Sequence, residues 1–313
     1  MFDTVNMRLA RTEVAGVDFL SETPCYLDDG SLGEHSYPDG LVITGTLDNL
    51  NVSLSKYQVK VRDGSLCKWY LGDNYQTMGR KDTQKAFEKL SDTLHLPMDK
   101  ATITRLDVAH NFIVRYPIDV YFNHLGVLKN AARLIEPYSL YYRKCGMRLA
   151  FYDKNREQKA NREPIPDLYN GRNVLRYEQR YTQRVASQLN VFEVTGKDLY
   201  DEAFYMSVLS LWWDSYKNIQ KINDVSLNFQ AMKTKRDLYR MGVLSLIGLV
   251  GGQLALLDQI AEAQKKGELT AKQALDLRRA VQDACKEREG LSVPNDAIQE
   301  LDKKVAEAVR FYR

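Results

Sequence analysis

Residues 103–114, ITRLDVAHNFIV, alternate with a period of two along their whole length. Successive side chains of a strand point to opposite faces. Ile103, Arg105, Asp107, Ala109 and Asn111 therefore share one face, and Thr104, Leu106, Val108, His110 and Phe112 share the other. A helix needs apolar residues at spacings of three and four, which this run lacks. Asp is disfavoured in mid-strand, so Asp107 asks for a reason. The plain one is an ion pair with Arg105 or with an arginine on a neighbouring strand.

The second constraint is a concentration of charge. Residues 141–190 hold 11 Lys/Arg against 5 Asp/Glu, a net of +6, whereas the whole chain carries +3. The rest of the chain is therefore slightly acidic, and the charge distribution says more about partners than the net charge does. Inside this stretch two more runs alternate, RLAFYDK (148–154) and VLRYEQRY (174–181). Strand geometry projects Arg148, Tyr152 and Lys154 together, and likewise Arg176, Glu178 and Arg180. Such a surface suits a polyanion.

Elsewhere the pattern is mixed. Phe2–Leu9 predicts a first strand, residues 22–40 a long loop, and Leu50–Arg62 a strand that changes phase near Lys56 at a bulge or bend. Asp63-Gly64 predicts a hairpin turn, with LCKWYL (66–71) as the return strand. Asp82 is placed to cap a helix bearing Ala86, Phe87, Leu90 and Leu94. Pro117 opens a helix with Val120, Tyr121, His124, Leu125 and Leu128 inward. Ser139–Lys144 predicts another strand, and the polar segment 155–173 a loop or lid. Asp198–Lys221 reads as one amphipathic helix with Trp212 and Trp213 packed in the core. From about Gln230 no strand pattern remains. Thr270 caps one helix, and Pro294 starts the last, after Ser292 or Val293. The chain divides softly into an α+β part, 1–228, and a helical part, 229–313.

Several classes are excluded or disfavoured. Cys25, Cys67, Cys145 and Cys285 lie far apart, with no zinc spacing, and free thiols suit a reducing cytoplasm. The start, MFDTVNMRLA, lacks the layout of a signal peptide. The most apolar stretch, Met241–Leu257, is too short and too broken by glycine for a membrane span. No phosphate-binding G-x-x-x-x-G-K-[ST] loop, dinucleotide fingerprint or serine nucleophile elbow occurs. A tyrosine recombinase would need an Arg/His/Arg cluster upstream of Tyr312, and none stands out.

Read as chemistry, Asp107 and Glu178 are two carboxylates on the polar faces of different strands. They could hold a hard cation, Mg2+ or Mn2+, or simply pair with arginines. Tyr152, on a basic face, is either a half-buried packing residue or a nucleophile. A phenol ionises near ~10, and a cationic neighbour or metal lowers that value. His110 falls on the apolar face, so it is a core histidine unless a bulge re-aims it.

Taken in order, FDTVNMRL, KWYLGDN, ITRLDVAHNF, LAFYDKNREQ and VLRYEQRY resemble the replication initiators of the filamentous-phage gene II/X type. More distantly, they are similar to rolling-circle initiators of small plasmids. The resemblance covers roughly residues 1–225. It implies an HUH/Rep-like α+β fold, an antiparallel sheet with packed helices, followed by an all-helical C-terminal region. It also implies an endonuclease and strand transferase that nicks and rejoins single-stranded origin DNA. Matched by motif, Tyr152 is the nucleophile, forming a 5′-phosphotyrosyl bond, with Lys154 beside it. Asp107 and Glu178, and more weakly His110, are ligands of Mg2+ or Mn2+, and Arg148, Arg176 and Arg180 bind DNA. The two-histidine motif of the wider class is absent. The expected setting is a host bacterial cytoplasm, with helicase, polymerase or a second copy as partners and no membrane. The competing reading is a non-enzymatic DNA-binding regulator that uses the same basic face.

Overall fold

A computed structural model describes residues 1–14, 16–225, 229–230, 232–286 and 292–313. The first part contains β1 (Phe2–Ala10), β2 (Gly33–Tyr37), β3 (Gly40–Leu47), β4 (Leu50–Ser55) and β5 (Gln58–Arg62), then α1 (Leu66–Leu71), α2 (Arg80–Leu94) and β6 (Thr102–Val114). Next come α3 (Ile118–His124), β7 (Leu125–Leu128), β8 (Ala132–Glu136), β9 (Ser139–Lys144), β10 (Met147–Asp153), α4 (Lys154–Ala160), β11 (Asn173–Tyr181), α5 (Val185–Gln188) and α6 (Glu202–Lys217). The chain ends with β12 (Ile219–Lys221), β13 (Asp224–Val225), α7 (Lys235–Leu249), α8 (Gln253–Lys265), α9 (Ala271–Lys286), β14 (Ser292–Val293) and α10 (Asp296–Tyr312).

Ten strands form one antiparallel sheet in the order β2-β3-β4-β5-β1-β6-β11-β10-β9-β8. The alternation of each strand sends one set of side chains into the core. Val5, Met7 and Leu9 of β1, Leu106, Val108 and Phe112 of β6, and Phe151 and Tyr177 of β10 and β11 are all buried. Tyr177 stacks between Phe151, with ring centroids 4.5 Å apart, and Trp212 of α6, 4.7 Å away. Trp212 is thus a core residue, and Trp213 packs partly buried against the same core. The antiparallel sheet with packed helices and a helical C-terminal region is the fold that the resemblance implied.

The last helix belongs to the main core. α10 buries Ile298, Leu301, Val305, Val309 and Tyr312 against it. Its polar side chains fasten it further: Tyr121 donates to Glu300 at 2.6 Å, and Tyr216 donates to Asp302 at 2.6 Å. The helices α7, α8 and α9 instead close a small core of their own around Leu244, Ile247, Ile260, Ala274 and Val281. The helical part therefore packs as two pieces. A division placed at residue 228 lies outside the described residues. Among the described residues no single helix is long and apolar enough to cross a membrane; α7 and α8 pass such a test only together and are bent by 89°.

Local departures from the sequence reading have local causes. Residues 66–71 form a helix, not a strand: the Ser65 hydroxyl accepts from the Lys68 amide, and Gly72 closes the helix at φ +88°. The phase change near Lys56 is a full hairpin turn between β4 and β5. Asp82 sits at the third helical position and reaches back to the Gly79 amide at 2.9 Å, so α2 begins at Arg80. Residues 22–40 include edge strand β2, and Leu125–Leu128 pair with β12 instead of extending α3. The cap of α10 is Asn295, whose side chain accepts from the Ala297 and Ile298 amides. Segment 155–173 opens with α4 and is tied down, Asn155 donating to the carbonyls of Tyr169 and Arg172 at 2.8 and 2.9 Å.

Candidate active site

Strands β6, β11 and β10 are neighbours, so their polar faces merge. Across β6 and β11, Asp107 stands opposite Arg180, Ala109 opposite Glu178 and Asn111 opposite Arg176. Across β11 and β10, Arg180 faces Arg148, Glu178 faces Ala150 and Arg176 faces Tyr152. Glu178 thus has an alanine on each side. The missing side chains leave room above its carboxylate, and Tyr152 leans into that room. Its hydroxyl lies 3.4 Å from Oε2 of Glu178. Tyr152 and Arg180 also line a pocket of about 270 Å3 together with Ser139, Tyr141 and Arg156.

The carboxylates are held by guanidinium groups. Arg105 grips Asp107 with both arms, Nε to Oδ1 at 3.0 Å and Nη2 to Oδ2 at 2.6 Å. Arg180 donates twice to Oε2 of Glu178, at 3.0 and 2.5 Å, with its Nε 4.0 Å from Asp107. Planar forks of this kind are the strongest charge-assisted hydrogen bonds. A third carboxylate, which the sequence did not single out, joins them. The register of β1 against β6 slips between Phe2 and Val5, and this bulge sets Asp3 beside Arg176, whose Nη2 bonds Asp3 Oδ2 at 2.5 Å. Bulges re-aim side chains in this way.

These environments set the protonation states. Burial pushes the Asp107 carboxyl up to about 7; the Arg105 bond opposes this and the charge of Glu178 adds to it. Burial also raises the Tyr152 phenol well above its ordinary value, with Arg176 opposing and Glu178 reinforcing. Burial acts against ionisation of Asp3 too, but Arg176 and the Ser65 hydroxyl hold its carboxyl below the usual range.

Three expected site residues do not join this group: Lys154 has left the strand, Arg176 is on the polar face but roofed over, and His110 is on the opposite face. β10 ends at Asp153, whose side chain caps α4 through the Arg156 amide at 3.0 Å. Lys154 is therefore a helical residue, 1% exposed, with its ammonium on Glu157 at 2.7 Å and not on the sheet face beside Tyr152. Burial and the Arg176 charge lower its pKa. Arg176 is also 1% exposed; it spends its donors on Asp3, the Asn74 carbonyl and Asn111. A side chain roofed in this way cannot reach a DNA backbone. His110 is on the opposite face, as alternation requires, with Nδ1 2.8 Å from the Tyr312 hydroxyl. Burial takes its pKa down to about 3, and nothing in the register turns it toward Asp107.

Arg148 and Arg180 do stand at the surface end of the face, and the structure adds a residue to them. Arg143 of β9 is opposite Arg148, which is opposite Arg180. Three arginines line up across three adjacent strands. Like charges directly opposite each other destabilise a sheet; Arg180 is paired with Glu178, while Arg143 and Arg148 have no ion pair among the described residues.

An antiparallel sheet backed by helices on one face, with tyrosine, carboxylates and a row of arginines on the other, defines a protein built to handle a polyanion. Residues 1–203 match the family described as the N-terminal part of the phage replication-associated gene II protein. The chain belongs to that family, the gene II-type rolling-circle replication initiators of filamentous phages. No curated protein matches the sequence.

Proposed function

We propose that this initiator nicks and rejoins single-stranded DNA at a replication origin, with Tyr152 as nucleophile. The observation that carries the reading is the Tyr152–Glu178 contact, at the edge of a pocket and beside the arginine row. Tyr152 Oη attacks the scissile phosphorus. The bond to the 3′ oxygen breaks, and the 5′ phosphate stays on the tyrosine. The phenol gives up its proton as it attacks, with the Glu178 carboxylate as the nearest acceptor, and the leaving oxygen takes a proton to become a free 3′-OH. Arg148 and Arg180 face the phosphate and offset its charge. The phosphotyrosyl bond conserves the energy of the bond that was broken, so the reverse reaction reseals the strand without a nucleotide.

A cation would help to ionise a phenol that burial keeps protonated. Asp107 and Glu178 are the residues that would hold Mg2+ or Mn2+. Their oxygen donors suit either ion, and Mg2+ commonly takes one or two carboxylates plus water and substrate phosphate. When bound it would supply positive charge to a phosphoryl oxygen. Among the described residues no cluster of three or more His, Cys, Asp or Glu side chains is arranged around a cation. Any ion would therefore share the two carboxylates with Arg105 and Arg180, or displace them.

That competition favours a second reading. If the forks on Asp107 and Glu178 are structural, the face binds DNA without cutting it. Incubation with a labelled single-stranded origin oligonucleotide, with Mg2+ or Mn2+ and then with chelator, separates the two. A covalent adduct mapped to Tyr152 supports the nicking enzyme; retained binding with no adduct under any condition supports the regulator.

A further inference from the structure

The face that carries Tyr152 does not stop at β6. It continues across β1, β5, β4, β3 and β2, because the whole sheet is one surface. Along β1, Asn6 and Arg8 alternate outward from Val5, Met7 and Leu9; along β5, Gln58, Lys60 and Arg62 alternate outward from Val59 and Val61. These outward side chains are half-buried or exposed. Arg8 stands directly opposite Lys60. Arg62, two residues along the same face, is opposite Asn51. Among the described residues none of the three cations has an ion pair. Beyond Lys60 the same row continues through Ser53 and Thr44, each opposite the last, to Gly33. Of the carboxylates on this wing, Asp3 of β1 is held by Arg176 and the Ser65 hydroxyl, and Asp28, at the rim, is taken up by the Thr46 hydroxyl at 2.9 Å and the Asp48 amide at 2.7 Å.

A solvated sheet face needs no cations in register, and placing two opposite one another works against pairing. The pair repeats, on the far side of β6, the like-charge row of Arg143, Arg148 and Arg180. Between the two rows lie Arg105 and Asp107. We infer that β1 and β5 hold the phosphate backbone of one flank of the single strand that Tyr152 cuts, through Arg8, Lys60 and Arg62. The polar side chains Asn51, Ser53 and Thr44 pass beneath it. This rests on the nicking reading only for where the strand begins. Adjacent strands are ~4.8 Å apart, and Lys60 is in register with Thr102 of β6 while Tyr152 is in register with Asn111, nine residues further along at ~3.3 Å each, so Lys60 is roughly 35 Å from Tyr152, about ten stacked nucleotides at ~3.4 Å each. Arg8 and Lys60 form one cross-strand pair, and Arg62 stands two residues to its side on β5.

The test measures binding of fluorescein-labelled dT8 and dT30 by anisotropy over a series of salt concentrations. Neutralising one phosphate contact on a single strand changes the slope of log affinity against log salt by about 0.7. The Arg8→Gln/Lys60→Gln/Arg62→Gln protein should lose about 2 units of slope on dT30 and keep the wild-type slope on dT8. Ser53→Arg extends the row and should steepen the dT30 slope, so a gain is read as well as a loss. Equal dT30 slopes for wild type and both variants overturn the inference. So does a loss seen on a blunt 30-base-pair duplex but not on dT30. Adduct formation at Tyr152, assayed in the same preparations on a short origin oligonucleotide, decides the nicking reading separately.

Discussion

Tyr152 and Glu178 are diagonal neighbours: β10 and β11 set Tyr152 opposite Arg176 and Ala150 opposite Glu178, yet the phenol oxygen is 3.4 Å from the Glu178 carboxylate. Diagonal positions on an antiparallel pair are ~7–8 Å apart and close only for long or aromatic side chains. The contact exists because Ala150 leaves the intervening space empty. The proposed nucleophile and its proposed proton acceptor are thereby joined through a gap in the packing.

Removing the hydroxyl tests the nucleophile. Tyr152→Phe keeps the ring and its packing, so binding of a single-stranded origin oligonucleotide should stay within about twofold, surface changes of this size costing ~0.5 kcal/mol or less. Covalent adduct, resolved on a denaturing gel, should vanish. An adduct that persists in the Phe protein assigns the chemistry to another group.

Filling the gap tests the geometry without touching a charge. Ala150→Leu should drive Tyr152 away from Glu178 and slow adduct formation roughly a hundredfold, the usual effect of ~1 Å misplacement. Overpacking should cost about 1–3 kcal/mol of stability, visible in a urea melt. Nicking at the wild-type rate would show that the diagonal contact is dispensable.

The Asp107 carboxyl makes stability depend on pH in a direction opposite to most carboxylates. Its pKa is pushed up to about 7 in the fold, against ~3.9 in an unfolded chain. Between those values the native state holds a proton that the unfolded state has released. Stability therefore falls as pH rises through this window. Asp107→Asn should flatten that decline, compared by denaturant melts at pH 5 and pH 7. If a cation acts through Asp107, nicking should increase over the same range, since the ligand must be ionised.

The two cores predict two kinds of melting. Leu301→Ala in α10 should cost roughly 2–5 kcal/mol and lower the transition of the sheet itself, because Leu301 is in the main core. Ile247→Ala should loosen α7, α8 and α9, whose core is separate. Hydrogen exchange with mass spectrometry would show faster exchange across β6 in the first variant and unchanged exchange there in the second.

What could be read from the sequence was whatever lay within one strand. Alternation put Asp107, Tyr152 and Glu178 on polar faces, and sheet order then brought them together. Alternation also kept His110 on the far side. It could not show whether a face is roofed. Arg176 is buried by contacts that include the Asn74 carbonyl, about a hundred residues away in sequence. Asp3 was invisible because a bulge breaks the alternation that would have revealed it. Leu66–Leu71 is too short for strand and helix periods to differ, and the Ser65 cap decided the matter. Ala109 and Ala150 are plain in the sequence as small residues, but only the register shows that both flank Glu178.

The position of α10 has a consequence for how the protein is made. The helix covers the apolar side of β6, the strand whose other side carries Asp107, and its Tyr312 is hydrogen-bonded to His110 of that strand. Residues 103–114 leave the ribosome nearly two hundred residues before the helix that seals them. Until then their inner face lacks the part of its cover that α10 supplies, beside that given by α2, α5 and α6. Chains released before Asp296 should therefore expose part of that face and be recognised by chaperones and proteases.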